Sequence, residues 1–225
     1  MPNFNIIKTN NIKDTFRVQK IKADFDIKNE HSNEKFCGEI KLPEKWNIGL
    51  ICGASGTGKT TIAKELFNDI LISNFEYNNQ SVIDDMPKDK SVDEIVKTFY
   101  AVGFGSVPCW LKPYRVLSNG EKMRVDLARS ILEYDKFAFD EFTSVVDRNV
   151  AKTCCIAINK AIKNTDKQFI AISCHKDIIN DLQPDWIFDT DKMQMVFMIA
   201  HDKKETFMSE DVGEKNGENL SVIII

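Results

Sequence analysis

Gly53-Ala54-Ser55-Gly56-Thr57-Gly58-Lys59-Thr60 is the stretch that decides how this chain folds. It satisfies the pattern G-x-x-x-x-G-K-[ST] of a phosphate-binding P-loop. Ahead of it, Ile48-Gly49-Leu50-Ile51-Cys52 is a short apolar run suited to a fully buried strand; behind it, Ile62, Ala63, Leu66, Phe67, Ile70 and Leu71 recur at helical spacing. Strand, glycine-rich loop and helix together turn a pattern into a site. Glycines let the backbone bend tightly and aim successive N–H groups at phosphate oxygens, where a side chain would block the approach. The helix that starts near Gly58 adds its positive N-terminal end. The expected cradle is Gly53, Ser55, Gly56, Thr57, Gly58, Lys59, Thr60 and Thr61. In it the Lys59 ammonium reaches the β- and γ-phosphates of a nucleotide, and the Thr60 hydroxyl ligates Mg²⁺.

On the N-terminal side, Phe16 and Val18 alternate in one phase and Ile21, Ala23, Phe25 and Ile27 in the other. The phase change at Gln19-Lys20 predicts a strand with a β-bulge. A polar turn over Lys28–Lys35 and a second strand marked by Phe36, Ile40 and Leu42 complete an expected antiparallel hairpin that leads into the P-loop strand.

On the C-terminal side, Ser73–Lys90 is polar and irregular, and Ser91-Val92-Asp93-Glu94 forms a capping box. It opens a helix with Val92, Ile95, Val96, Phe99 and Val102 on its apolar face. Gly103, Gly105, Pro108 and Pro113 break up the next stretch, which carries Trp110 and Tyr114. A long helix then runs from Gly120 through Met123, Leu127, Ile131 and Leu132. Phe137-Ala138-Phe139 is a buried strand ending in Asp140-Glu141; a helix through Ala151, Cys155, Ile158 and Ile162 leads to a third strand, Phe169–Ile172, ending near His175. Trp186–Phe188 and Met193–Ile199 are late strands joined by the Asp189–Lys192 turn. This alternation implies an α/β fold, a P-loop NTPase with a mostly parallel central sheet. Ligands in such sheets sit beyond the carboxyl ends of the strands, where the P-loop, Asp140, Glu141 and His175 all fall.

The chain has 225 residues, 43% of them apolar and 28% charged, as in ordinary globular proteins. A net charge of −4 gives no general affinity for nucleic acid, although a local basic face stays open. No apolar run approaches the roughly 18 residues of a membrane span. Met1–Asn11 has no signal-peptide core, so a cytoplasmic location is expected. Cys37, Cys52, Cys109, Cys154, Cys155 and Cys174 include no C-x-x-C pair and are expected to be reduced and structural.

Asp140, at the end of an apolar strand, is placed to hold a magnesium ion or its water, and Glu141 to activate water as a general base. Leu117-Ser118-Asn119-Gly120-Glu121-Lys122 puts a hydroxyl and backbone N–H groups at a helix start, where they can meet a phosphate; Ser118 is equally an ordinary N-cap. In this order the motifs resemble those of the ABC-type ATPases over about Ile48–Asp189. Leu117–Glu121 looks like their LSGGQ signature, Ser144-Val145-Val146-Asp147 like their D-loop and His175 like their switch histidine.

The resemblance implies a homodimer formed head to tail on ATP binding. Lys59, Thr60, Asp140, Glu141 and His175 would act from one subunit, and Ser118 and Gly120 would reach the γ-phosphate from the other. The implied ligands are ATP and Mg²⁺. Asn119 departs from the first signature glycine, and Glu121 replaces the usual glutamine, as in the DNA-maintenance branch. Gln80 is the candidate Q-loop glutamine, with a plain surface residue as its alternative. Phe25 and Phe36 are candidates to stack on adenine, and both also fit the core pattern. The implied organisation is an ATP-binding domain over 1–200, with a small helical subdomain at about 73–133, and a charged, mobile tail over 201–225 whose apolar end is free to dock.

The implied activity is Mg-dependent ATP hydrolysis by a soluble ATPase that drives or gates a cytoplasmic process such as DNA maintenance or defence. The alternative is the nucleotide-binding subunit of a transporter with a membrane partner. A GTPase would need N-K-x-D, and Asn159-Lys160-Ala161-Ile162 lacks the aspartate.

Overall fold

The P-loop strand, β3 (Ile48–Cys52), is buried along its whole length, and its alternation shows how the molecule is layered. Ile48, Leu50 and Cys52 face one hydrophobic cluster, while Ile51 faces the other. The same split runs through β4 (Lys136–Phe139), β5 (Gln168–Ser173) and β6 (Trp186–Asp189). Phe137, Phe169, Ala171 and Ile187 join the first cluster, and Ala138, Ile170, Ile172, Trp186 and Phe188 the second. Strands buried on both faces are what a parallel sheet covered by helices requires.

The computed structural model describes residues 3–11, 13–27, 31–73, 75–163, 165–198 and 222–224. Among these, the main sheet has the order β4-β5-β3-β6-β7-β8, with β7 (Gln194–Met198) and β8 (Val222–Ile224) antiparallel to their neighbours. Strands β4, β5, β3 and β6 are parallel, and Leu71 adds a parallel bridge to Ala138 beyond the β4 edge. The expectation of a charged, mobile segment over Lys203–Asn219 falls outside the described residues.

Helix α2 (Lys59–Phe67) packs Ile62, Ala63 and Phe67 on one face of the sheet, together with Phe4 and Phe36. The opposite face is covered by α3 (Val92–Ala101), α4 (Val107–Trp110), α5 (Asn119–Glu133), α6 (Arg148–Ile162) and α7 (Ile179–Leu182). Ile95 and Phe99 of α3, Trp110, Met123, Leu127 and Ile158 share one cluster with Phe137 and Phe169 of the sheet. The segment between P-loop and signature is thus continuous with the core.

The N-terminal region differs from expectation. An antiparallel pair is present, but its strands are β1 (Asn3–Asn11) and β2 (His31–Glu39). Phe16–Asp24, expected as a bulged strand, is helix α1, with the N-cap Thr15 hydroxyl accepting from Val18 N at 3.4 Å. The physical reason is that α1 buries none of its residues. With no buried face, Phe16, Val18, Ile21 and Phe25 carry no period that separates strand from helix, and long side chains such as Arg17, Gln19, Lys20 and Lys22 favour the helix.

Candidate active site

The P-loop follows β3, Asp140-Glu141 follows β4, and Cys174-His175 follows β5; these three strands are adjacent in the order β4-β5-β3. Register fixes their relative height: Cys52 pairs with Ser173, and Phe139 with Ala171. Adjacent strands lie about 4.8 Å apart, so the three loops emerge side by side at one edge of the sheet.

Gly58 shows why the loop needs glycine. Its φ is +88°, and a Cβ there would stand 2.5 Å from the ring of Phe36, which closes over the loop from β2. Phe36 is thereby buried as a wall of the P-loop, whereas Phe25, just past α1, is 71% exposed. Lys59 is buried, and its Nζ donates to the Ala54 carbonyl at 2.7 Å. The Thr57 hydroxyl donates to the same carbonyl at 2.8 Å.

The β4 end is held by its own side chains. Glu141 N donates to Asp140 Oδ1 at 2.9 Å, and the Ser144 hydroxyl donates to Glu141 Oε2 at 2.5 Å. Phe142 N donates to the Ile172 carbonyl at 2.8 Å, tying this turn to β5. Glu141 and Thr143 have φ of +55° and +68°. For a β-branched residue such as Thr143 that is a strained conformation, and strain of this kind gathers at functional sites. The Thr143 hydroxyl lies 3.3 Å from His175 Nδ1, which orients the ring. The sequence alone gives Thr143 and Ser144 no such roles, although they lie two and three residues after Glu141. That proximity was the available signal.

Ser118 is the N-cap of α5. Its hydroxyl accepts from Glu121 N at 3.3 Å, and Glu121 Oε2 accepts from Ser118 N at 2.8 Å. Asn119 is already the first helical residue and has no positive φ, so its departure from glycine is neutral for the backbone here. Gly120 lies close to α6: a Cβ there would stand 3.0 Å from Val150 Cγ1, so that side chain would have to give way slightly. The Ser118 hydroxyl, the Ser118 N–H and the Cys109 thiol hold the Glu121 carboxyl below the usual carboxylate range.

A cavity of about 400 Å³ separates α5 from the β4 end, lined by Tyr114, Asn119, Lys122, Asp126, Asp140 and Glu141, among others. Asp126 accepts from Tyr77 Oη at 2.6 Å and Tyr114 Oη at 2.8 Å, and the two rings stack at 3.9 Å. Burial raises the Asp126 pKa despite these two donors. Gln80 is exposed and lies outside this lining.

The site residues fit a magnesium nucleotide. Thr60 and Asp140 offer hard oxygen donors, and Mg²⁺ typically takes one or two protein carboxylates and completes its shell with phosphate and water. Among the described residues, no group of three or more His, Cys, Asp or Glu is placed to hold a metal ion. The six cysteines are all free, and burial pushes the Cys52 thiol beneath the P-loop up to about 12.

Solved structures share this fold. A dimeric bacterial ABC transporter cassette, MJ0796, matches with a TM-score of 0.55 at 13% identity, over 82% of this chain and 94% of that one. The fold is that of an ABC ATPase cassette. MJ0796 in a post-hydrolysis state bound to ADP and Pi matches at 0.51 and 12% identity, over 69% of this chain and 87% of that one. A bacterial Atm1-family ABC exporter with ATP bound matches at 0.50 and 20% identity, over 64% of this chain. This chain spans only 32% of that exporter's length. No family model matches the sequence.

Proposed function

We propose that this protein binds Mg·ATP and hydrolyses it to ADP and phosphate, working as a head-to-tail dimer with two composite sites. The observation that carries the reading is the arrival of the P-loop, Asp140-Glu141 and His175 at the ends of three adjacent parallel strands. Lys59 and the N-terminus of α2 hold the β- and γ-phosphates, and Thr60 and Asp140 hold Mg²⁺. The bound metal neutralises charge on the phosphate oxygens. Glu141, oriented by Ser144, takes a proton from water as the water oxygen bonds to the γ-phosphorus and the bond to the β-phosphate oxygen breaks. His175, oriented by Thr143, contacts the γ-phosphate. The partner copy supplies Ser118 and the N–H groups of the α5 N-terminus. Val116 beside the signature and Val145 in the D-loop are 59% and 63% exposed, apolar surface that a second copy would cover.

Purified Lys59→Ala should lose ATP turnover. Glu141→Gln should keep Mg·ATP binding, lower turnover by about 100-fold or more, and accumulate as an ATP-bound dimer in size-exclusion chromatography. Wild-type turnover in either variant would overturn the assignment.

Among the described residues, no helix is long and apolar enough to cross a membrane. The cycle is proposed to drive or gate a cytoplasmic process such as DNA maintenance or defence. A second reading, the nucleotide-binding subunit of a transporter, is favoured by the similarity to transporter cassettes. Stimulation of turnover by DNA or RNA supports the first; co-purification with a membrane protein supports the second.

A further inference from the structure

Four residues outside every motif named above converge on the P-loop. Asp191, in the turn between β6 and β7, accepts a hydrogen bond from Ala54 N at 2.8 Å through Oδ1. Thr190 is 2% exposed; its N–H donates to the Cys52 carbonyl at 2.8 Å, and its hydroxyl lies 2.6 Å from Thr57 Oγ1. The fit at Gly53 is close, since a Cβ there would stand 2.2 Å from Thr190 Oγ1. Lys176, immediately after His175, places Nζ 2.7 Å from Asp189 and 2.9 Å from Asp191. Asp189 Oδ1 in turn accepts from Asp191 N at 2.9 Å.

The Ala54 peptide is the centre of this arrangement. Its N–H goes to Asp191, while its carbonyl accepts from Lys59 Nζ and the Thr57 hydroxyl. The direction of that peptide plane therefore sets where the Lys59 ammonium starts. We infer that Asp191, steadied by Lys176 and Asp189, is a positioning residue that preorganises the P-loop for triphosphate binding, and that Thr190 seats the loop beside it. Lys176 has a second role: it neutralises two carboxylates that would otherwise repel the incoming phosphates. Because Lys176 adjoins His175, the same ion cluster joins the β5 end to the P-loop.

This inference rests on Mg·ATP binding at the P-loop, and calorimetric titration of the full-length wild-type protein with Mg·ATP tests that premise separately. Absence of wild-type binding removes the P-loop reading itself. Given binding, Asp191→Ala should weaken affinity about tenfold and raise KM, leaving kcat at saturation within about threefold. Asp191→Asn keeps an oxygen for the Ala54 N–H and should restore affinity to within about threefold of wild type. Lys176→Met should also weaken binding, by a factor that shrinks as salt rises, because the new repulsion is screened. Thermal melts establish that each variant is folded; should Asp191→Ala not fold, Lys176→Met and Asp191→Asn carry the test. Wild-type affinity in folded Asp191→Ala, or in Lys176→Met at low salt, overturns the inference, as does equal loss in the Ala and Asn variants.

Discussion

Two helices of this chain begin with the same device. At α3, Ser91 N donates to Glu94 Oε2 at 2.9 Å, the Ser91 hydroxyl donates to the same oxygen at 2.7 Å, and Glu94 N donates to Ser91 Oγ at 3.3 Å. At α5, the corresponding distances between Ser118 and Glu121 are 2.8, 2.7 and 3.3 Å. Both serines are exposed. Their local geometry does not distinguish a cap from a phosphate contact. The surroundings differ: Glu121 also receives the Cys109 thiol at 3.1 Å, Gly120 lies against Val150 of α6, and Asn119 shares a cavity with Asp140 and Glu141. A helix N-terminus becomes a site through what faces it, and under the proposed function Ser118 faces the partner copy's nucleotide.

The sharpest way to break the comparison is to place the same bulky cation at both serines. Ser118→Arg should abolish ATP turnover, by about 100-fold or more, while Ser91→Arg should leave it near wild type. If Ser118 acts across the dimer, mixing inactive Ser118→Arg with inactive Lys59→Ala should recover turnover, because one composite site in the mixed dimer is whole. Heterodimers that form, retain ATP and stay inactive would exclude independent composite sites. Full activity in Ser118→Arg alone would make Ser118 a cap and nothing more.

A smaller effect is expected one residue further on. Gly120→Ala gains about 1 kcal/mol of helix propensity and loses about 1–3 kcal/mol to crowding against Val150, so its stability should fall by about 0–2 kcal/mol. Turnover should drop about tenfold, since the methyl stands beside the N–H groups offered to phosphate. Asp93→Ala, at the equivalent position of α3, should leave turnover unchanged. Paired melting and steady-state measurements check both.

The smallest effects separate the two roles within one residue. Ser91→Ala and Ser118→Ala should each cost about 1 kcal/mol of stability, roughly 2–4 °C in Tm for a chain of this size. Only Ser118→Ala should also slow turnover. Both capping glutamates have folded pKa values below their usual range, chiefly through Ser91 for Glu94 and Ser118 for Glu121. The cap contribution is therefore present above the unfolded pKa and fades as pH falls through the lower folded pKa. NMR titration of the two carboxyl groups should show both depressed, and Ser→Ala at either cap should raise the matching one.

How much was legible in advance follows the same division between local and distant interactions. The strand–loop–helix of the P-loop, the capping box at Ser91, the N-cap at Ser118 and the acidic end of β4 were readable, because each is built from residues within a few positions of one another. The bulged strand expected over Phe16–Ile27 failed because α1 has no buried face to impose a period. Phe36 could not be recognised as a wall of the P-loop, since only the fold brings β2 over Gly58.

The sequence by itself determined the chemistry available at the sheet edge: Lys59, Thr60, Asp140, Glu141 and His175 follow from motif spacing and strand polarity. Tertiary structure decided what holds those groups in place. Asp191 reaches Ala54 across 137 positions of chain because β6 pairs with β3, and Thr143 reaches His175 across 32 positions because β4 pairs with β5. Hydrogen bonds between neighbours in sequence are encoded by residue type and spacing. Those between distant loops exist only once strand register has set the loops at the same height.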